Sequence, residues 1–416
     1  MASAMCHSQT ESSSHRSALT PNSEGTRALY NITTRTPGCQ VDITETRVLD
    51  FETNTSGLFS NDPRIVEAKW LGKDNQVVWL KELDFGVTEV WIADADNTEQ
   101  TYVNLRMPSN PDPSLEKFSV PVSSHCAGRI NGRATHLKVH RLRNQYFDDI
   151  AIAVACPAYL NGDLYNETSA TSPADGVRNA IWYTTLRKKA MTNNRSDPNY
   201  LKYIISPTRF VNALRGTDLE CPLPSPDGTS TDFDISTGGI VFLARDSNQS
   251  ATAPNVVNTY YIPLETFTET SELNPQIIKV KGLEGRSSHP VFSPTGDSVA
   301  LLKKQHPTDV SDRNRVVVVN NIRDFHSRVA DDNMPTRQSK NGRHLSPYSV
   351  TWSEDGKELY VIAVEDGIRK LYKLPATLSS IKAAPQPISG DNKMPADVRN
   401  LRMVYSAPMD TRSTRL

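Results

Sequence analysis

The sequence predicts an all-β fold, a β-propeller with six recognisable blades and a partial seventh. A hairpin-like motif recurs along the chain, most clearly over Pro290–Leu302 and Val350–Ile362, where the aromatic residues Phe292 and Trp352 lie 60 positions apart. Most copies are followed by a further segment rich in β-branched and aromatic residues, as expected of a strand. No stretch has helical periodicity, and self-similar units of several strands are typical of propellers.

Each part of the repeated motif has a role in a β-hairpin. The aromatic residue, Phe292 in the clearest copy, ends an inner strand and packs between sheets. Ser293 and Pro294 open the turn, because proline fixes φ and the serine side chain bonds nearby backbone. Gly296 supplies the position that needs a positive φ. The strand that follows is apolar on both faces, as expected of a strand between two sheets.

The repeats divide the chain into three parts. Residues 1–16 are polar and are predicted to be disordered, residues 17–401 form the propeller, and residues 402–416 form an irregular tail. The incomplete seventh unit implies a truncated chain, since an open ring exposes strand edges. A row of β-sandwiches is the alternative fold, but it needs linkers about every 100 residues that the sequence lacks. The six complete units begin near Leu19, Trp70, Leu137, Phe233, Phe292 and Trp352, and Met394–Leu401 opens the seventh.

Composition and charge argue against several classes of function. The chain has 416 residues, a formal net charge of -1 and scattered basic residues, which argues against a nucleic-acid partner. No apolar run approaches the roughly 18 residues that cross a bilayer, so no membrane partner is expected. The first residues lack the apolar core of a signal peptide, which by itself predicts a cytoplasmic chain. No Gly-rich phosphate loop is present, and no cofactor is expected.

Cysteines and asparagines leave the cellular compartment open. The five cysteines include no Cys-x-x-Cys pair, so a zinc site is not expected, and one disulfide or several free thiols remain alternatives. Five Asn-x-Ser/Thr sequons are possible N-glycosylation sites, although chance yields about that many at this composition. They lie at Asn31, Asn54, Asn166, Asn194 and Asn248.

Blade-specific segments in a fixed order carry a family resemblance. They are Asp149–Val154, Asn161–Asn166, Asn179–Tyr183, Asp232–Ser236, Tyr260–Leu264, Phe267–Glu269, Gly282–Ser288 and Val291–Pro294. Over about residues 17–401 the chain resembles fungal dipeptidyl-peptidase V, of the prolyl oligopeptidase (S9) serine peptidases. The resemblance implies an N-terminal propeller of seven blades and, in the parent protein, a C-terminal α/β-hydrolase domain with a Ser-Asp-His triad. It also implies a secreted parent, in which the sequons become glycan sites.

The chain contains no Gly-x-Ser-x-Gly nucleophile elbow. The nearest strings surround Ser287 and Ser298, and both lack the second glycine that the tight strand-to-helix turn requires. Ser298 lies in a predicted hairpin. Ser287 and His289 are expected on the same side of an extended strand, with no carboxylate to orient the imidazole. The α/β-hydrolase domain is therefore absent, and no catalytic residue is assigned.

Other polar groups have structural explanations. His136 and His140 are predicted to share a strand face about 13 Å apart, too far for one metal ion. His125 and Cys126 lack two further ligands, so no metal site is assigned. Two polar stretches, residues 157–178 and 188–230, are predicted to be long loops on the third and fourth blades. Several aspartates are predicted to cap turns: Asp94, Asp96, Asp309 and Asp312.

The resemblance thus implies that the chain is the non-catalytic, substrate-gating propeller of a dipeptidyl-peptidase V-like serine peptidase that releases N-terminal dipeptides. The chain is expected to be inactive alone, with short peptides and the missing hydrolase domain as partners. The alternative is a stand-alone propeller that acts as a protein-binding scaffold. A third interpretation, an enzyme with its site in the central channel, needs carboxylates or histidines clustered at the starts of inner strands, and no such cluster is visible in the sequence.

Overall fold

A computed structural model of the protein describes residues 13–16, 19–22, 24–35, 42–71, 75–83, 88–96, 126–130, 134–143, 148–159, 177–190, 201–205, 210–224, 229–245, 256–269, 271–307, 312–324, 346–365, 368–377, 385, 387–388, 394–399 and 402–406. Apart from a 3-10 helix at Ile322–Asp324, the regular structure of these residues is β-strand. The described part of the chain has no helix with the length and apolar character needed to cross a bilayer. The all-β prediction is confirmed.

The described strands form seven antiparallel sheets, each built from one continuous stretch of chain. Sheet 1 consists of β1 (Ser13–Arg16), β2 (Thr20–Pro21), β3 (Arg27–Arg35), β4 (Asp42–Asp50) and β5 (Thr55–Ser60). Sheet 2 consists of β6 (Ile65–Trp70), β7 (Gln76–Glu82), β8 (Thr88–Asp94) and β9 (Cys126–Ile130). Sheet 3 consists of β10 (His136–Arg143), β11 (Asp148–Tyr159), β12 (Val177–Ala190), β13 (Leu201–Ile205) and β14 (Val211–Asn212).

The later sheets are smaller. Sheet 4 consists of β15 (Phe233–Ser236), β16 (Gly239–Arg245), β17 (Val257–Pro263) and β18 (Gln276–Ile277). Sheet 5 consists of β19 (Ser287–Phe292), β20 (Val299–Lys303) and β21 (Arg315–Val319). Sheet 6 consists of β22 (Ser346–Trp352), β23 (Glu358–Glu365) and β24 (Ile368–Pro375), and sheet 7 of β25 (Met394–Arg399) and β26 (Arg402–Ser406).

The sheets follow one another in space as they do in sequence. Strand β2 contacts β6, β6 contacts β10, β10 contacts β15, and the series continues through β19, β22 and β25. In sheet 1 both β1 and β2 pair with β3, and β2 is taken as the first strand of that sheet because it contacts sheet 2. Sheets that meet through their first strands surround a common axis, which is the architecture of a β-propeller. The fold prediction is confirmed, and the predicted unit starts fall on or beside the first strands. The number of blades in the ring stays a prediction.

Apolar clusters fill the spaces between neighbouring sheets. In sheet 5, Val299 and Leu301 pack towards sheet 4, whereas Ala300 and Leu302 pack towards sheet 6. This strand is buried on both faces, as its sequence predicted. Every interface from sheet 1 to sheet 6 contains such a cluster, represented by Val48 with Trp79, Leu80 with Ile152, Tyr183 with Phe233, Val241 with Leu301, and Leu302 with Trp352.

The aromatic residues that end the first strands point back to the preceding sheet. The indole Nε1 of Trp70 donates to the carbonyl of Thr20 in sheet 1 at 2.7 Å. The indole Nε1 of Trp352 donates to the carbonyl of Val291 in sheet 5 at 3.2 Å. Each indole thus fills the inter-sheet space and also satisfies a backbone acceptor of the neighbouring first strand.

Carboxylates on the first strands point forward to the following sheet. Glu67 Oε2 accepts the backbone N–H of Leu137 at 2.5 Å, which joins β6 to β10. Asp234 Oδ2 accepts the backbone N–H of Phe292 at 3.0 Å, which joins β15 to β19. Side chains alternate along a strand, so one first strand reaches both of its neighbours.

The hairpin turn has the same hydrogen bonds in three sheets. Ser293 Oγ accepts the N–H of Ser298 at 3.1 Å, and Ser353 Oγ accepts the N–H of Glu358 at 2.9 Å. In sheet 1 the side chain of Asn22 replaces the serine, and its Oδ1 accepts the N–H of Arg27 at 3.1 Å. The glycines of these turns have φ values of 63° at Gly25, 76° at Gly296 and 69° at Gly356, as the motif required.

Both predicted irregular ends contain strands. Strand β1 pairs with β3 inside the stretch predicted to be disordered, and β26 pairs with β25 inside the predicted irregular tail. Polar Ser13–Arg16 add to an existing strand through backbone hydrogen bonds, which need no apolar residues. Strand β26 carries Val404 and Tyr405, which have strand propensity. The division of the chain at residues 16 and 402 stays a prediction.

The prediction of a loop over residues 188–230 is wrong for part of this stretch. Strand β13 continues sheet 3, and β14 pairs with β12. Ala213, Leu214 and Cys221 are buried between sheets 3 and 4. A few apolar residues within a polar stretch thus complete the core. The other predicted loop, residues 157–178, lies mostly outside the described residues.

Two glycines with the same φ give a matched test of how closely the turns of sheets 4 and 5 approach. Gly296 has φ 76°, and a Cβ there meets Ser236 Oγ at 2.8 Å, whereas Gly282 has φ 75° and a Cβ there meets nothing within 4 Å. We expect Gly282→Ala to cost about 1–2 kcal/mol for the left-handed backbone alone. Gly296→Ala adds a steric cost of about 1–3 kcal/mol. Urea unfolding of both variants measures the difference, and equal losses would contradict the close approach.

Candidate functional site

The first strands of sheets 2, 3 and 4 carry a group of charged side chains. On β6, Lys69 Nζ lies 2.7 Å from Glu67 Oε1. On β10, Lys138 Nζ lies 5.9 Å from the centre of the Phe233 ring in sheet 4. His136 lies on the same face of β10 as Lys138. These side chains are half-buried, so they are partly accessible along the innermost strands.

The charges around His136 partly cancel. Burial lowers the pKa of the His136 imidazole below its usual value, and Lys138 and Lys69 lower it further, whereas Glu67 and Asp232 oppose the shift. The imidazole is therefore neutral at neutral pH. The carboxylates are engaged, because Glu67 binds the Leu137 amide and Asp232 Oδ2 accepts the amide of Leu223 at 3.0 Å. Because both carboxylates accept backbone amides, Glu67, Asp232 and His136 form a structural network and not an acid–base site.

Bulges in the first strands place further side chains at the surface. The ladder shifts register between Ile65 and Glu67 in β6, and between Pro347 and Ser349 in β22. The bulged residue of β22, Tyr348, is 47% exposed. Its ring lies 4.8 Å from the Arg369 guanidinium and 6.1 Å from the His289 ring of the preceding sheet. An accessible aromatic ring with a stacked guanidinium can bind a ligand by non-covalent contacts.

Ser287 lies in a buried polar pair. Its Oγ accepts a hydrogen bond from Lys303 Nζ at 2.9 Å, and the two residues are partners in the ladder of β19 and β20. The sequence predicted Ser287 and His289 on the same side of an extended strand. The ladder instead shifts register between Ser288 and Val291, and His289 has φ 52°, so the regular alternation ends before His289.

Lys303 is the residue that sequence reasoning missed. Its exposed fraction is 2%. Burial lowers the pKa of its ammonium to about 8, against an opposing effect of Glu284. A lysine at the end of an apolar strand gives a weak sequence signal, because its burial and its pairing with Ser287 depend on the register of two strands. The pair has the chemistry of a serine with an amine base, but both side chains are enclosed.

The other residues singled out in the sequence occupy ordinary structural positions. Ser298 lies in the β19–β20 hairpin, as predicted, and its Oγ donates to Asn320 Oδ1 at 3.3 Å. Asn31 lies on β3, and Asn54 is exposed in the turn before β5. Asn166, Asn194 and Asn248 lie outside the described residues.

Carboxylates predicted to cap turns bind backbone amides. Asp94 Oδ1 accepts the amide of Asp96, and Asp312 Oδ2 accepts the amide of His306 at 2.8 Å. Asp96 also pairs with Arg27 of sheet 1. Within the ranges given above, no three His, Cys, Asp or Glu side chains are grouped as metal ligands. His125 and Asp309 fall outside those ranges.

Two of the five cysteines are free thiols in the core. Cys156 packs between sheets 2 and 3, and Cys221 packs between sheets 3 and 4. Burial raises the pKa of the Cys156 thiol to about 12 and raises that of Cys221 as well. Neither thiol is therefore activated as a nucleophile. The described site offers charged and aromatic contacts on the innermost strands.

The sequence has relatives among characterised peptidases. No family model matches the chain. Dipeptidyl-peptidase 5 of Trichophyton schoenleinii and that of Arthroderma benhamiae are each 26% identical to it over 353 residues, which cover 79% of this chain and 42% of the relative. Dipeptidyl-peptidase 5 of Aspergillus fumigatus is 27% identical over 354 residues, covering 79% and 43%. The chain spans about two fifths of the length of these relatives.

Solved structures with a similar backbone fold include two from Pyrococcus species. The β-propeller domain of the Trilobed protease from Pyrococcus furiosus aligns over 91% of this chain and 84% of that chain, with 11% identity and a TM-score of 0.45. The acylaminoacyl peptidase of Pyrococcus horikoshii aligns over 94% and 48%, with 9% identity and a TM-score of 0.47.

The contacts between successive sheets define the class of fold, a β-propeller. Within that class, the chain is a homologue of the fungal dipeptidyl-peptidase 5 proteins over a portion of their length. The family resemblance predicted from the blade-specific segments is confirmed.

The hydrogen bond from the Phe292 amide to the Asp234 carboxylate can be tested directly. Asp234→Ala leaves the Phe292 amide without its acceptor, and we expect it to reduce the free energy of unfolding by about 1–3 kcal/mol. Asp234→Asn keeps an acceptor oxygen, so its loss is smaller. Urea unfolding compares the two variants. Equal losses would show that the hydrogen bond is not the cause.

The buried Lys303 predicts a rise in stability with pH. Its pKa is about 8 in the folded protein against 10.5 as the reference value, so the unfolded chain binds more protons between these pH values. Below pH 8, burial of the charged ammonium lowers the free energy of unfolding by its full amount. This loss disappears as the pH rises to 10.5.

We expect Lys303→Met to remove this pH dependence and to stabilise the protein at pH 7 by up to about 3 kcal/mol. Lys281→Met, at an exposed position, is the matched control. Thermal or urea unfolding across the pH range measures both variants. A Lys303→Met profile that still rises over this window would contradict the assignment.

Proposed function

We propose that this chain is the non-catalytic, substrate-gating propeller portion of a dipeptidyl-peptidase V-like serine peptidase, which releases dipeptides from peptide N-termini. The observation that carries the proposal is the match to dipeptidyl-peptidase 5, which extends over 79% of this chain but only 42% of the relative. The matched portion folds as a propeller, and its sequence has no Gly-x-Ser-x-Gly elbow.

The gating role is supported by the surface of the innermost strands. In a propeller these strands surround the central channel. They carry Lys69, His136, Lys138 and the exposed Tyr348, which offer charged and aromatic contacts to a passing peptide. Ser287, which is bonded to an amine, is enclosed together with Lys303. In the proposed enzyme, the nucleophile therefore comes from a hydrolase domain, and this chain alone is inactive.

Secretion of the parent protein is part of the proposal. It rests on the similarity to the fungal dipeptidyl-peptidase 5 proteins. The alternative location is the cytoplasm.

A second candidate is a stand-alone propeller that binds another protein. The observation in its favour is the accessible Tyr348, which is stacked with Arg369 at the junction of sheets 5 and 6. In this case the same surface binds a protein, and no peptidase activity accompanies the chain.

Immunocapture of the native gene product distinguishes the two functions. An antibody against the propeller is used to isolate the protein from its source, and the captured material is assayed with a chromogenic dipeptidyl substrate. We expect dipeptide release that a serine-directed organophosphate abolishes. The 416-residue chain expressed alone is the control and should be inactive. Captured propeller without peptidase activity would overturn the proposal and favour the scaffold.

A further inference from the structure

The hairpin between β4 and β5 presents an asparagine at its tip. Residues 51–54 form the turn, and residues 52–58 are all exposed. Asp50 Oδ1 holds the turn, because it accepts the amides of Glu52 at 3.0 Å and Thr53 at 2.9 Å. Asn54 has φ 52°, a left-handed conformation that asparagine tolerates better than most residues. The tip is thus a fixed turn with an accessible amide side chain.

This asparagine begins the sequon Asn54-Thr55-Ser56. The second sequon within the described residues begins at Asn31, in a different environment. Asn31 is opposite Thr46 in the ladder of β3 and β4. The pair two positions along this ladder, Leu29 and Val48, packs against sheet 2. Because side chains alternate along a strand, Asn31 points towards sheet 2. A glycan on Asn31 has to leave through the interface of two sheets, whereas one on Asn54 extends into solvent.

Strand β5, which follows Asn54, is an exposed edge strand that a glycan at Asn54 can cover. It pairs with β4 and ends the order of strands in sheet 1. Its sequence, Thr55–Ser60, has no charge and no proline, and Leu58 is 53% exposed. Ile43 on β4 is 55% exposed. Natural proteins protect such edges with charges, prolines or coverings, because an open apolar edge pairs with other chains.

We propose that Asn54 carries an N-linked glycan that covers the edge strand β5. The modification rests on the secretion proposed above, since the transfer takes place in the secretory pathway. In the transfer, the Asn54 side-chain nitrogen forms a bond to C1 of an oligosaccharide carried on a lipid pyrophosphate. The bond from C1 to the pyrophosphate oxygen breaks, the lipid pyrophosphate leaves with that electron pair, and the amide nitrogen loses one proton.

The site is tested with the full chain expressed behind a secretory leader in a eukaryotic host. Peptide-N-glycosidase converts a glycosylated asparagine to aspartate, and peptide mass spectrometry locates the conversion. We expect conversion at Asn54 and none at Asn31. Asn54→Gly keeps the left-handed turn and removes the acceptor, so it loses one glycan step on a gel. Asn31→Gln, the matched control, leaves the pattern unchanged.

A secreted chain with unconverted Asn54, or with converted Asn31, would overturn the assignment. This experiment needs no peptidase activity, so its outcome is separate from that of the proposed function. A native product that stays in the cytoplasm would refute secretion and, with it, the glycan at Asn54.

The covering role has its own readout. We expect glycosidase-treated protein and Asn54→Gly to aggregate several-fold faster on warming than the glycosylated chain, measured by light scattering. Leu58→Glu places a charge opposite Arg47 on the edge and should restore the slow rate in the Asn54→Gly background. Equal aggregation with and without the glycan would refute the covering role.

Discussion

The first strand of each sheet is the element on which the rest of the structure depends, because it pairs with another strand along one edge only. Its attachment to the rest of the molecule comes from alternate side chains that reach both neighbouring sheets. Trp70 and Trp352 reach back to carbonyls of the preceding first strand, while Glu67 and Asp234 reach forward to amides of the next. These bonds fix neighbouring sheets in register, and the apolar clusters then fill the space between them.

The same strands decide what the molecule can do. Most side chains of a first strand attach it to the two neighbouring sheets. The side chains that stay accessible are those at bulges, such as Tyr348, and half-buried charged ones, such as Lys138. These groups can offer cation–π and aromatic contacts to a ligand. The buried pair of Ser287 and Lys303 has a nucleophile and an amine, but a substrate cannot reach it. This arrangement is compatible with the proposed role, in which this chain admits peptides and another domain performs the hydrolysis.

The sequence predicted the fold because the turn motif is local. Ser293, Gly296 and Phe292 act within one hairpin, so their spacing alone reveals the repeat. The relationship between sheets was less predictable. The carboxylate of Asp234 and the amide of Phe292 are 58 positions apart, and Lys303 is buried only when β19 and β20 pair in one register. The network around His136 also needs three sheets in place. Short strands such as β14 were missed because a few apolar residues in a polar stretch form no pattern.

The size of the native gene product tests the account most directly. The 416-residue chain has a mass of 46.2 kDa. The account predicts that an antibody against the propeller detects, after removal of glycans, a band far above that mass on a denaturing gel, because in the proposed enzyme the propeller is joined to a hydrolase domain. A single native band at 46.2 kDa would contradict the account and would identify the propeller as a protein that acts without its own catalytic domain.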